Sequence, residues 1–111
     1  MEIKSFVKKT TRLYDLTPTG WGNGYVCIPK GHPLWGKHYD KIDVTVHGGL
    51  TFSEKASDLN WDEITEDMKD DWIIGFDTCH YDDNPDNCPK EYVEAQTREL
   101  VSQIEGKGKW K

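Results

Sequence analysis

The chain has 111 residues and a formal net charge of −6, a size that allows one domain with a modest core. Five Trp, five Tyr and three Phe give that core large side chains to bury, which argues against disorder throughout in so polar a chain. No apolar run reaches the roughly 18 residues of a membrane span. An acidic balance also disfavours nonspecific nucleic-acid binding, which needs cations against phosphates.

The charge is unevenly placed. Residues 1–41 carry seven Lys/Arg against three Asp/Glu, whereas residues 54–86 carry twelve acids against two lysines. The acidic half suits a basic partner, a divalent cation or mimicry of nucleic-acid charge, and equally a solvated acidic loop. The opening MEIKSFVKKTTRLYDL lacks the apolar stretch of a signal peptide, and Cys27, Cys79 and Cys88 make an odd set for an oxidised scaffold. A cytoplasmic location is the expectation.

In chain order, residues 3–16 mix apolar side chains with threonines and cations and predict a strand or hairpin arm. Thr17-Pro18-Thr19-Gly20 reads as a turn, and Gly20, Gly22 and Gly24 around Trp21 as a loop with unusual backbone angles. Such a loop could resemble a phosphate cradle, but it lacks the Lys-Ser/Thr ending. Gly24 to Ile28 reads as a short strand closed by Pro29, and residues 29–40 as irregular chain.

Ile42 to His47 alternates with period two, Ile42, Val44 and Val46 against Asp43, Thr45 and His47, and predicts the clearest strand. Gly48-Gly49 predicts a bulge or hairpin, with Leu50-Thr51-Phe52 resuming the strand. Residues 53–71 read as acidic and turn-like, with one helical turn anchored by Trp61, Ile64 and Met68. Trp72 to Asp77, apolar on both faces at first, predicts a central strand, and residues 82–88 a loop.

Pro89 and Glu91 suit a helix start, and Val93, Gln96/Thr97, Leu100, Val101 and Ile104 form one stripe over residues 89–105, with Gly106 as the stop. The expected fold is α+β: a single domain over 1–111 with four or five mostly antiparallel strands and one C-terminal amphipathic helix on the sheet. Residues 1–2 and 106–111 are expected to fray.

The two clearest strands end in groups that do chemistry. Asp43, His47, Asp77 and His80 form the ligand types of a divalent-metal site or an acid/base pair, with Asp83 as a base or supporting carboxylate. The alternative is that these groups cap the turns in which they sit. Cys79, His80 and Cys88, with Cys27, offer a second zinc set, although the spacing lacks the close cysteine pair of structural zinc sites. Cys79 beside His80 is also a nucleophile pattern, and Cys79 with Cys88 a disulfide pattern. Trp21, Tyr25, Trp35 and Tyr39, near His32 and His38, suit stacking of a base or ring, or simple anchoring of a loop.

The segments GYVCIPKGHPLWGKHYD, VHGGLTFS and WIIGFDTCHYDD, followed by a helix containing EYV, resemble in that order a family of small bacteriophage and prophage proteins. The resemblance spans roughly residues 20–104 and rests on Gly24-Tyr25-Val26, Gly31-His32-Pro33, His47 to Thr51, Gly75-Phe76-Asp77, His80 and Asp83. The chain departs from the pattern at Ile73, where a second tryptophan is usual, and in an acidic segment without the cysteines of some relatives. The resemblance implies a phage or prophage accessory protein inside a bacterial cell, and supplies no reaction.

Three functions follow as expectations. The first is a non-enzymatic protein binding a host protein or small ligand, for counter-defence or host takeover, through His32, His47, Thr51, Asp77, His80, Asp83, Trp21 and Tyr25. The second is a small metal-dependent hydrolase of a phosphate ester or nucleotide, with Asp43, His47, Asp77 and His80 as ligands. The third is a structural or assembly component whose histidines brace turns.

Overall fold

The computed structural model describes residues 3–10, 19–80 and 83–108. Strands β1 (Lys4–Lys9), β2 (Gly22–Ile28), β3 (Phe52–Lys55) and β4 (Trp72–Phe76) form one antiparallel sheet in the order β1-β2-β4-β3. Helix α1 (Lys90–Gly108) closes the chain and packs chiefly on β2 and β1. The α+β architecture, with an antiparallel sheet and one C-terminal helix, is that expected.

Alternation along the central strands divides the interior in two. Val26, Ile28, Ile74 and Phe76 face α1 and meet Val93, Leu100 and Ile104 in one cluster. Tyr25, Cys27 and Ile73 face the other way, where Phe6, Phe52, Trp61, Ile64 and Met68 pack on them. The second face is covered by the stretch between β3 and β4. Tyr25 is the hub of this cover, with ring centroids of Trp61 at 4.8 Å, Phe6 at 5.4 Å and Phe52 at 5.5 Å. Lysines of β1 reach over the acidic stretch, where Lys4 pairs with Asp67 and Lys8 with Glu63. Part of the acidic half is therefore the polar rim of a hydrophobic lid.

Four expectations are corrected. Ile42 to His47 keeps its alternation, with Ile42 and Val46 buried and Asp43 and Thr45 exposed, yet it joins no strand of the sheet. Its backbone is held by α1: the Thr45 N–H donates to Gln103 Oε1 at 2.8 Å, and Gln103 Nε2 donates to the Thr45 carbonyl at 2.7 Å. The His47 N–H donates to Gln96 Oε1 at 2.9 Å. Period two reports burial on one side, and glutamine amides satisfy the backbone as a neighbouring strand would.

Gly22 and Gly24 lie within β2 rather than in a loop, and neither has positive φ. They are small because neighbours press close: a Cβ at Gly22 would sit 2.1 Å from the Lys8 carbonyl oxygen, and one at Gly24 2.1 Å from Thr97 Oγ1. The helical turn expected around Trp61 is instead a pair of single turns, closed by Ile64 N–H to the Trp61 carbonyl and Met68 N–H to the Thr65 carbonyl. Gly106 stays helical, since a glycine stops a helix only by adopting the left-handed conformation it does not take here. The turn expected at Thr17-Pro18 and the arm beyond residue 10 fall outside the described residues.

Candidate functional site

The end of β4 delivers the first components. After Phe76 the chain turns, with the Cys79 N–H donating to Asp77 Oδ1 at 3.1 Å and the buried Thr78 hydroxyl donating to the Gly22 carbonyl at 2.6 Å. His80 emerges beside the turn at Gly48-Gly49, which is closed by the Gly49 N–H donating to the Val46 carbonyl at 2.8 Å. Both glycines have positive φ, +68° and +80°. The His80 ring lies so close over this turn that a Cβ at Gly48 would be 2.2 Å from His80 Cε1.

Asp83 stands between the two imidazoles. Its Oδ1 is 2.9 Å from His47 Nε2, and its Oδ2 is 3.0 Å from His80 Nδ1. The backbone N–H of His80 also donates to Oδ2 at 2.9 Å, and the Asp83 N–H donates back to the His80 carbonyl at 2.9 Å. The carboxylate is 6% exposed. Burial alone would raise its pKa, but the His80 amide and the two histidine rings outweigh it and hold the carboxyl down at about 2. Asp83 is therefore an anion with one oxygen turned to each imidazole.

His47 is held from its other side by the Tyr92 hydroxyl, 2.8 Å from Nδ1. A carboxylate only accepts, so Nε2 carries the proton donated to Asp83 and Nδ1 accepts from Tyr92. Were a cation held on Nε2, the proton would sit on Nδ1 and the same hydroxyl would be its acceptor. Such a partner orients a metal-bound imidazole. Tyr92 sits just inside α1, and burial, then the nearby Cys88 and Asp83, push its hydroxyl pKa up, keeping it protonated.

His47, His80 and Asp83 each direct a donor atom into a region where all three lie within 4.8 Å of one another. Two imidazoles and a carboxylate are a usual ligand set for zinc and related ions. An open groove lined by Thr45, Val46, His47, Gln96, Glu99 and Gln103 runs along α1 to this point.

The other expected residues divide. Asp77 borders the cluster, its Oδ1 3.7 Å from His80 Nδ1, while Thr51 donates to its Oδ2 at 3.0 Å. Asp83, expected as a base beside the ligands, is at the centre instead. Asp43 is exposed and outside the group, because the segment carrying it and His47 lies along α1 rather than beside β4. His32 is a brace: its Nδ1 accepts from the Leu34 N–H at 3.1 Å and its Nε2 donates to the Ile104 carbonyl at 2.8 Å. Ile104 lies roughly 20 Å along the helix from its start, so His32 takes no part in the site.

Trp21 and Tyr25 do not form one stacking surface, since Trp21 packs on the α1 side of the sheet and Tyr25 is buried on the opposite side. Trp35 is likewise used structurally, its Nε1–H donating to the Asp70 carbonyl at 2.8 Å. None of the three cysteines is in a disulfide. Cys27 faces the lid, its pKa pushed up to about 12 by burial and then by Asp71, so the four-residue zinc set does not assemble. Tyr92 and Gln103 are not named as site residues from the sequence, and Gln96 has there only a place on the helix stripe. A helix stripe flags apolar positions, and these polar ones serve a segment far away in sequence.

The chain matches no family model, no curated protein and no solved structure among known proteins.

Proposed function

We propose that this protein binds one divalent transition-metal ion of the zinc type through His47, His80 and Asp83. The observation that carries the reading is the convergence of three donor atoms within 4.8 Å, His80 and Asp83 from one loop and His47 from a segment more than thirty residues earlier. Each donor is already oriented: His47 by Tyr92, His80 by its position over Gly48, and Asp83 by the His80 amide. An ion there would fasten the 42–50 segment and the loop before α1 to the end of β4.

Elemental analysis of the purified protein, with a thermal-shift series in Zn²⁺, Mn²⁺ and Mg²⁺, tests this. The expected outcome is one metal per chain, lost in His47→Ala and in His80→Ala while both variants keep the wild-type circular dichroism spectrum. Absence of bound metal together with no stabilisation by Zn²⁺ or Mn²⁺ would overturn it.

A hydrolytic role is the second reading, favoured by the position of Asp77. Three protein ligands leave a coordination position for water, and the Asp77 carboxylate, held by Thr51 and the Cys79 amide, borders the site as a base. Hydrolysis of a phosphate-ester substrate that requires metal and is lost in Asp77→Asn would support it. The biological setting we propose from the motif order in the sequence alone: a phage or prophage accessory protein in the bacterial cytoplasm, binding a host protein.

A further inference from the structure

Cys88 lies against the same cluster from its buried side. Its Sγ is 3.7 Å from Asp83 Oδ1 and 3.9 Å from His47 Nε2. These separations lie within a few tenths of an ångström of the roughly 3.5–3.7 Å edges to sulfur in a tetrahedron with a sulfur bond of about 2.3 Å and nitrogen or oxygen bonds of about 2.0–2.2 Å, and the 2.9 Å pair of His47 Nε2 and Asp83 Oδ1 would open by a similar amount. We propose that Cys88 is a fourth ligand, so that the site is a closed His₂AspCys centre for a zinc-type ion. The inference rests on the metal-binding reading above and deepens it.

The position of the sulfur is fixed by its backbone. The Cys88 N–H donates to the Asn84 carbonyl at 2.9 Å, and the Cys88 carbonyl accepts from the Trp21 N–H at 2.8 Å. Asn84 in turn accepts from the Asp86 and Asn87 amides through its side-chain oxygen, so the whole turn before α1 is tied. Gly20 leaves room for the cysteine, since a Cβ there would be 2.6 Å from Cys88 Cβ. The residue is 1% exposed. A buried thiol held on both sides of its Cα and facing two ligand atoms has the arrangement of a preorganised donor.

Proton balance is simple. Without metal the S–H is a weak donor to Asp83. On binding, the thiol proton would go to solvent, while each imidazole would keep its one proton on the nitrogen that does not bind, for His47 Nδ1 toward Tyr92. The ion's positive charge would then stand between the sulfur and the carboxylate, which favours the thiolate. A mixed nitrogen, oxygen and sulfur set selects zinc or cobalt over magnesium or calcium, which prefer oxygen alone. Four protein ligands also leave no position for a reacting water, so the ion would brace structure rather than hydrolyse.

The experiment is a Co²⁺ titration of the chelator-treated full chain followed by optical spectroscopy. Wild type should show intense tetrahedral visible bands and a thiolate-to-cobalt charge-transfer band in the near ultraviolet. Cys88→Ser should bind cobalt at least about tenfold more weakly and lose the charge-transfer band, while Cys79→Ser keeps it. Cobalt binding without that band in wild type, or a band that survives in Cys88→Ser, would overturn the fourth ligand and leave the three-residue site standing. No cobalt binding at all would overturn both. Should Cys88→Ser fail to fold, the wild-type and Cys79→Ser spectra still decide whether a thiolate binds and whether Cys79 supplies it.

Discussion

At Gly48 two constraints coincide: φ is +68°, and the space where a Cβ would lie is occupied by the His80 ring. Gly48→Ala should therefore cost about 1–2 kcal/mol in backbone strain and also displace His80. The expected result is a lowered urea midpoint together with weakened Zn²⁺ binding. Gly49→Ala has equal strain and open space, so it should lower stability while leaving His80 in place. A metal titration of the two variants separates the effects. Asp83 gives a pH signature in metal-free protein. Its folded pKa, about 2, is below the ordinary carboxylate value, so folding favours the charged form. That contribution, on the order of 2 kcal/mol, is complete above roughly pH 5 and lost as pH falls toward 2. Urea midpoints of wild type and Asp83→Asn should differ most near neutral pH and converge in acid.

Among the elements, the sheet and helix were legible because their signals are local. The apolar run of β4, the stripe on α1 and the turn chemistry before Pro89 each announce themselves within a few residues. The segment 42–47 shows where this ends. Alternation identified which side chains are buried and was silent on what satisfies the backbone, because that is decided by glutamines more than forty residues later in the chain. Gln103→Ala removes both hydrogen bonds to Thr45 and should lower stability by about 1–2 kcal/mol, with faster amide exchange at Thr45 and little change in the sheet. On the far face, Trp61→Ala opens the aromatic lid over Tyr25. A cost of about 2–3 kcal/mol is expected, below that of a fully buried aromatic, and the proposed metal site on the α1 side should be unaffected.

For the whole molecule, the site is where the segment carrying His47 meets the loop carrying His80 and Asp83, and this is why the sequence showed it only in part. His47 and His80 were visible as strand-terminal histidines, but only the folded chain puts Asp83 between them and leaves Asp43 and His32 elsewhere. Zn²⁺ at a hundred times its dissociation constant should add about 2.7 kcal/mol, a rise in melting temperature of roughly 10 °C for a chain of this size. Mg²⁺ should produce little. The glutamine clamp bears on the rate of exchange as well. Thr45 and His47 are moored by two long side chains and not by a hydrogen-bond ladder, so this stretch can lift from α1 while the sheet stays closed. Lifting would carry His47 away from Asp83 and uncover an ion held there. Loading and loss of metal should then run at the rate of this local opening, orders of magnitude faster than global unfolding, and shortening either glutamine should quicken both.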